Sequence, residues 1–321
     1  MRALITGITG FAGNYLAQLL LKESVEVHGM ANDPLFEPFL DLGARSICYF
    51  PTDICDLAGV RNLLSEIKPD WVFHLAARTS PSKSLEEPLE TFNVNWGGTL
   101  NLLEAIRTLK LPCRFLLVSS GQIYGRSQTG GHTLAEVAPL HPATPYAVSK
   151  AASELLASQY AYAYGVLVVR VRPFNHTGPG QGEGFVCPDM ARKVAEIECG
   201  LRPPSLQVRN PDALLDLTDV RDIVEGYVAA IQKGLRGEVY NLCSGRGIPV
   251  SFVARHLASL SKRGFSLEDS LAGSAAGEEG ALIGDNSRAE RELGWRPRYP
   301  VEQTLREVLD YWRGIMASQI T

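Results

Sequence analysis

The sequence lacks any uninterrupted apolar run near the roughly 20 residues that a membrane-spanning helix needs, which predicts a soluble chain with no membrane partner. Its opening, Met1-Arg2-Ala3-Leu4-Ile5-Thr6-Gly7, is too short for a secretory signal and meets glycine at once, so it reads as a first strand. Cysteine is sparse and scattered: Cys48, Cys55, Cys113, Cys187, Cys199 and Cys243 show no paired spacing. That pattern argues against a zinc site or a disulfide framework and predicts reduced thiols, no metal and a cytoplasmic setting. Charge of one sign is also missing, with 31 basic against 35 acidic side chains and a net charge of −4. Dispersed basic residues exclude a broad nucleic-acid or anionic-lipid surface, although a small anionic ligand needs only a few local cations. No low-complexity tract or solenoid repeat is present, so the chain is expected to fold throughout.

What is present is alternation. Apolar, β-rich runs at Ala3–Thr6, Val25–Gly29, Trp71–Leu75, Phe115–Ser119 and Leu167–Val171 are separated mostly by helical patterns. This predicts an α/β fold with a doubly wound parallel sheet, because parallel strands need crossover helices and those helices bury both faces of the strands. After residue 173 the texture shifts to Pro, Gly and Asn, then returns to a helix over Val220–Gln232 and a strand over Glu238–Leu242. A chain of 321 residues exceeds one average domain. The predicted division is a dinucleotide-binding domain of 1–172 plus about 218–244, and a smaller, discontinuous α/β substrate-binding domain of about 173–217 and 245–321.

Thr6-Gly7-Ile8-Thr9-Gly10-Phe11-Ala12-Gly13 follows the first strand and opens the helical pattern Asn14–Lys22. Glycines at this spacing let backbone approach a pyrophosphate, and the helix start adds free N–H groups and a positive dipole end. Asp53-Ile54 is placed to hold an adenine, and His74-Leu75-Ala76-Ala77 ends a strand in small residues beside the pyrophosphate. At the end of the second strand, Asn32-Asp33 without a neighbouring arginine favours NAD(H) slightly and leaves NADP(H) open.

Thr144-Pro145-Tyr146-Ala147-Val148-Ser149-Lys150 sets a capping threonine and a proline at a helix start, so Tyr146 and Lys150 lie one turn apart on one face. A phenol that titrates near pH ~10 acts at neutral pH only beside a cation that favours the phenolate, and Lys150 supplies it. Ser120 follows the strand ending at Val118, at the sheet edge where ligands of open α/β sheets bind, and can hydrogen-bond a substrate oxygen.

Together Gly7-x-x-Gly10-x-x-Gly13, Asp53, Leu75-Ala76-Ala77, Asn95, Ser120 and Tyr146-x-x-x-Lys150 resemble the extended short-chain dehydrogenase/reductase family over essentially the whole chain. Arg172-Pro173-Phe174-Asn175-His176-Thr177-Gly178, Gly184-Phe185-Val186, Asp219-Val220-Arg221-Asp222 and Gly294-Trp295-Arg296-Pro297 look like its GDP-mannose 4,6-dehydratase and GDP-4-dehydro-6-deoxy-mannose reductase branch. The resemblance implies a Rossmann domain whose dinucleotide meets Gly7, Thr9, Gly10, Phe11, Ala12, Gly13, Asn32, Asp53, Ile54, Leu75, Ala76, Ala77, Asn95, Tyr146, Lys150 and Pro173. It also implies a nucleotide-sugar substrate touching Ser120, Gln122, Asn175, Phe185, Val186, Lys193 and Arg209, and catalysis by Ser120, Tyr146 and Lys150.

The branch's dehydratases carry a glutamate where this chain has Gln122, and an amide cannot take a carbon-bound proton. The resemblance therefore favours an NAD(P)H-dependent reductase acting on a C4 ketone, with a dehydratase or a 4-epimerase as alternatives and a non-catalytic dinucleotide-binding scaffold as a distant one. Two arginines that meet the diphosphate in the branch are Leu215 and Ala275 here, with Arg209, Arg202 and Arg246 as candidate replacements. The resemblance further implies a homodimer packed through Gly98–Lys110 and Tyr146–Tyr164, with Ala151, Ala152 and Ala157 permitting close approach.

Overall fold

The computed structural model describes residues 1–34, 37–38, 40–42, 46–125, 133–270 and 281–320. Its strands are β1 (Arg2–Thr6), β2 (Glu26–Ala31), β3 (Cys48–Pro51), β4 (Trp71–His74), β5 (Arg114–Val118), β6 (Leu167–Pro173), β7 (Asn175–Thr177), β8 (Ser205–Arg209), β9 (Leu214–Asp219), β10 (Val239–Leu242), β11 (Gly247–Pro249) and β12 (Ser266–Ser270). Its α-helices are α1 (Phe11–Lys22), α2 (Leu57–Ile67), α3 (Pro81–Glu86), α4 (Pro88–Phe92), α5 (Gly98–Thr108), α6 (Pro145–Tyr164), α7 (Val186–Glu198), α8 (Val220–Lys233), α9 (Val250–Leu260), α10 (Ser287–Leu293) and α11 (Val301–Ile320).

Seven strands make one parallel sheet in the order β10-β6-β5-β4-β1-β2-β3. The doubly wound class expected from the sequence is therefore the one observed. Strands such as β1 and β5 are apolar on both sides because both sides are covered. One face packs Leu16, Leu20, Ile223, Tyr227 and Ile231 of α1 and α8. The other packs Leu63, Leu64, Leu102, Ile106, Ala157 and Tyr160 of α2, α5 and α6. Strand order reverses between β1 and β4, and it is beyond the carboxyl ends of such a pair that open α/β sheets leave a ligand crevice.

A separate core joins Val194 of α7, Leu206 and Val208 of β8, Leu217 of β9, Val253 and Leu257 of α9, and Leu305, Leu309 and Trp312 of α11. It is flanked by the small sheets β11-β9-β7 and β12-β8. Residues 245–321, expected in the second domain, do not all stay in that core. Ala289, Leu293 and Trp295 pack with α8 on the large sheet, and the Trp295 indole donates to the Asp222 carbonyl at 2.7 Å.

Candidate active site

A cleft of about 720 Å³ opens at the carboxyl ends of β1, β4, β5 and β6. Its floor is the glycine turn. Gly7 has φ +71°, and a Cβ there would lie 2.8 Å from the Cα of Ala76. A Cβ on Gly13 would lie 2.5 Å from the Gly7 carbonyl oxygen, so α1 sits on the turn only because both residues lack side chains. Gly10 caps α1 without a side-chain bond, leaving the helix's first N–H groups facing the cleft that Gly10, Phe11, Ala12 and Gly13 line. Thr9 donates its hydroxyl to Asp33 at 2.8 Å, and Tyr49 donates to the Asp33 carbonyl at 2.5 Å.

Behind this floor runs a buried chain of hydrogen bonds. The Ala76 N–H donates to the Thr6 hydroxyl at 3.1 Å, and Thr6 donates to Nδ1 of His74 at 2.8 Å. Because the Thr99 hydroxyl donates to the Asn95 carbonyl at 2.6 Å, its oxygen accepts from Nε2 of His74 at 3.0 Å. Asn95, in a π-helical turn, accepts from the Arg78 N–H at 2.7 Å and donates to the Arg78 carbonyl and, at 2.9 Å, to Ser149. Ser149 in turn donates to the Tyr146 carbonyl at 2.7 Å. The chain ties the strand ends under the dinucleotide loop to the start of α6.

Thr144 caps α6, accepting from the Ala147 N–H at 3.1 Å, with Pro145 in the first turn. That start brings Tyr146 and Lys150, both buried, to the cleft beside Ser120. Burial raises the Tyr146 phenol above its ordinary value, and a hydrogen bond with Ser120 pulls it back. Burial lowers Lys150 to about 8, with Glu154 one turn further on opposing the fall. Glu154 is itself buried and gripped by Arg172 at 2.5 Å, and Arg170 approaches it at 3.6 Å. Arg172 also donates to the Tyr124 hydroxyl at 2.6 Å.

Most of the residues singled out in the sequence line this cleft: Gly7, Thr9, Gly10, Phe11, Ala12, Gly13, Asn32, Asp53, Ile54, Leu75, Ala76, Ala77, Ser120, Gln122, Tyr146, Lys150, Pro173, Asn175, Phe185 and Val186. Three do not. Asn95 is buried behind the wall and acts on it through Arg78. Lys193 stands two turns along α7 from Val186, about 10 Å, and Arg209 is exposed at the end of β8, paired to β12. Arg202 pairs with Glu196 at 2.9 Å, and Arg246 is exposed. Leu215 does face the cleft, bridged to Leu282, whereas Ala275 lies outside the described residues.

The cleft also holds residues that no local motif announces. Tyr227 reaches it from α8, and Cys187 from α7 with its thiol pushed up to about 12 by burial, far from a nucleophile. His176 stacks on Phe11, centroids 6.2 Å apart, and donates Nδ1–H to the Phe174 carbonyl at 2.9 Å. Burial lowers its pKa, against the Phe174 hydrogen bond and Asp219, which raise it.

A doubly wound sheet with a glycine-cradled crevice and a buried Ser–Tyr–Lys set at its edge defines an enzyme of the extended short-chain dehydrogenase/reductase class. Within it the chain belongs to the GDP-mannose 4,6 dehydratase family, whose model matches residues 4–308. It is 32% identical to the GDP-6-deoxy-D-mannose reductase of Pseudomonas aeruginosa over 97% of both chains. It is 30% identical to the GDP-mannose 4,6-dehydratase of Yersinia enterocolitica over 96% of this chain and 92% of that one. Among solved structures it resembles RMD from Pseudomonas aeruginosa complexed with NADPH, with a TM-score of 0.84, 30% identity and coverage of 98% and 99%. It is also similar to the UDP-glucose 4-epimerase of Thermus thermophilus in complex with NAD, with a TM-score of 0.86, 30% identity and the same coverage.

Proposed function

We propose that this chain is a nucleotide-sugar oxidoreductase that reduces a C4 ketone, with a GDP-4-dehydro-6-deoxy-D-mannose as substrate. The observation that carries the reading is Gln122, which lines the cleft with a complete Ser120, Tyr146 and Lys150 set; the resemblance puts the dehydratases' glutamate at this position. The turn at Gly7, Gly10 and Gly13, which side chains would fill, fits a nicotinamide dinucleotide. When bound in reduced form, that cofactor supplies the hydride. Tyr146 donates the proton to the substrate oxygen, Ser120 polarises the carbonyl by hydrogen bonding, and the Lys150 ammonium favours the phenolate left behind. The Asp33 carboxylate, held by Thr9, supports NAD(H) over NADP(H), because a carboxylate here suits a ribose hydroxyl and repels a 2′-phosphate.

In this reading 1–172 and about 218–244 hold the dinucleotide, and about 173–217 and 245–321, apart from the Ala289–Trp295 stretch on the large sheet, hold the sugar nucleotide through Asn175, Phe185 and Val186. The unpaired state of all six cysteines supports a cytoplasmic setting. A homodimer through α5 and α6 is also proposed, with a changed contact set. Ala151 and Ala157 are buried inside the protomer, while Leu155 and Tyr162 of α6 stand 64% and 71% exposed and are the apolar residues a second copy would cover. A monomer in sedimentation at micromolar concentration would sink that part.

The test is to incubate the chain separately with GDP-mannose and with the 4-keto sugar nucleotide, each with NADH or NADPH, and to weigh the products. A two-hydrogen gain on the keto sugar with loss of reduced cofactor is the expected result. Loss of water from GDP-mannose would make the chain a dehydratase, and interconversion of C4 epimers without net cofactor turnover would make it an epimerase.

A further inference from the structure

We propose that Arg78 binds the pyrophosphate of the dinucleotide, and that Glu87 and Glu90 hold it at the rim of the cleft until the ligand arrives. The proposal rests on the reading that this cleft takes a nicotinamide dinucleotide. Among the described residues lining the cleft, Arg78 and Lys150 are the only lysines or arginines, and Lys150 is buried on the Tyr146 face of α6. At the dinucleotide end, Asp53 and Glu90 also line the wall and add negative charge. The N-terminus of α1 offers dipole and N–H groups there, but no full charge to answer two phosphates.

Arg78 is placed for that task. It directly follows Ala76-Ala77, and Ala76 is in contact with the glycine turn at Gly7. Both backbone polar groups of Arg78 are held by the Asn95 amide, at 2.7 and 3.2 Å, so the root of the side chain is fixed. The guanidinium pairs with Glu87 and stands 3.8 Å from Glu90, with side-chain exposures of 33%, 56% and 55%. Glu90 lines the cleft with Arg78 and with Asp53, Ile54 and Cys55. Half-exposed pairs contribute little, and exchanging carboxylates for phosphate oxygens costs the guanidinium little while matching its forked donors.

The experiment measures dinucleotide affinity directly, by nicotinamide fluorescence for NADH and NADPH and by competition for ADP-ribose and adenosine. Arg78→Gln is expected to raise the Kd of NADH, NADPH and ADP-ribose about tenfold, one lost charge-assisted contact. Adenosine, which has no pyrophosphate, should bind it as it binds the native chain, and the salt dependence of NADH binding should flatten. The double variant Glu87→Gln/Glu90→Gln should bind NADH severalfold tighter than the native chain, and Arg78→Lys should fall between native and Arg78→Gln. An unchanged ADP-ribose Kd in Arg78→Gln overturns the assignment. So does an equal loss of adenosine binding, which would mean a distorted wall, or a double variant as weak as Arg78→Gln, which would mean that the ion pair only holds the loop. A native chain that binds none of the dinucleotides overturns the cofactor reading itself, an outcome separate from these.

Discussion

The Thr6 hydroxyl donates to Nδ1 of His74 at 2.8 Å, and this one bond fixes the imidazole as a neutral ring protonated at Nε2, because Thr99 takes the other side. Burial, with a smaller push from Lys150, lowers His74 to about 3 from 6.5. Between those values the unfolded chain carries a proton on this residue and the folded chain does not, so the contribution to stability falls as pH drops below 6.5. His74→Phe should reduce the pH slope of the unfolding free energy in that window by about one proton, near 1.4 kcal/mol per pH unit. Urea unfolding at several pH values between 4 and 7 measures it. An unchanged slope would mean that His74 is protonated in the fold.

Lys150 gives an alkaline prediction. Its ammonium is lowered to about 8, and in the proposed mechanism Tyr146 acts only beside that ammonium. The kcat/KM for ketone reduction should therefore fall as pH rises past about 8, since this parameter reports groups of the free enzyme. A profile flat to pH 10 would remove Lys150 from the role assigned to it.

Glu154 is the buried counter-charge of Arg172. Glu154→Ala leaves that guanidinium without its carboxylate, and stability should drop by about 3–5 kcal/mol. Denaturant unfolding of the variant would show a loss under 1 kcal/mol if Arg172 finds another partner among Tyr124 and the Glu136 carbonyl.

The glycine turn predicts a graded pair. In Gly13→Ala the new methyl would overlap backbone at 2.5 and 2.8 Å, whereas in Gly10→Ala its nearest neighbour is the Gly7 oxygen at 3.2 Å. Gly13→Ala should cost roughly 1–3 kcal/mol and abolish dinucleotide binding, with Gly10→Ala milder in both. Thermal unfolding and NADH titration of the two variants check the order.

Gln122→Glu returns a proton acceptor to the cleft wall. With the 4-keto sugar nucleotide in heavy water, the variant should exchange the hydrogen at C5 with solvent while the native chain does not, read by mass spectrometry. Exchange by the native chain would mean that another base serves and that Gln122 does not separate reductase from dehydratase.

Much of the site was legible because its parts are local. Gly7, Gly10 and Gly13 follow a strand and open a helix, and Thr144, Pro145, Tyr146 and Lys150 share one helix start, so spacing alone places each set together. Observed strands differ from the expected ones by a residue or two, as with Val239–Leu242 against Glu238–Leu242, since ladder bonds rather than side chains set the ends. Asn95, Lys193 and Arg209 were placed at the ligand by resemblance. The fold sets Asn95 behind the wall and the other two away from it.

The sequence by itself determined the alternation of buried strands and crossover helices, the glycine turn and the Tyr146–Lys150 face, because each depends on residues within a few positions of one another. Tertiary structure decided what joins distant segments. Thr6 with His74 and Thr99, and Tyr227 with Tyr146 in one cleft, arise only when the strand order reverses between β1 and β4 and α8 folds back onto the sheet. Burial then sets which groups titrate. The lysine at 150 is an ordinary ammonium in the chain as written and becomes one lowered to about 8 only when packing removes its water.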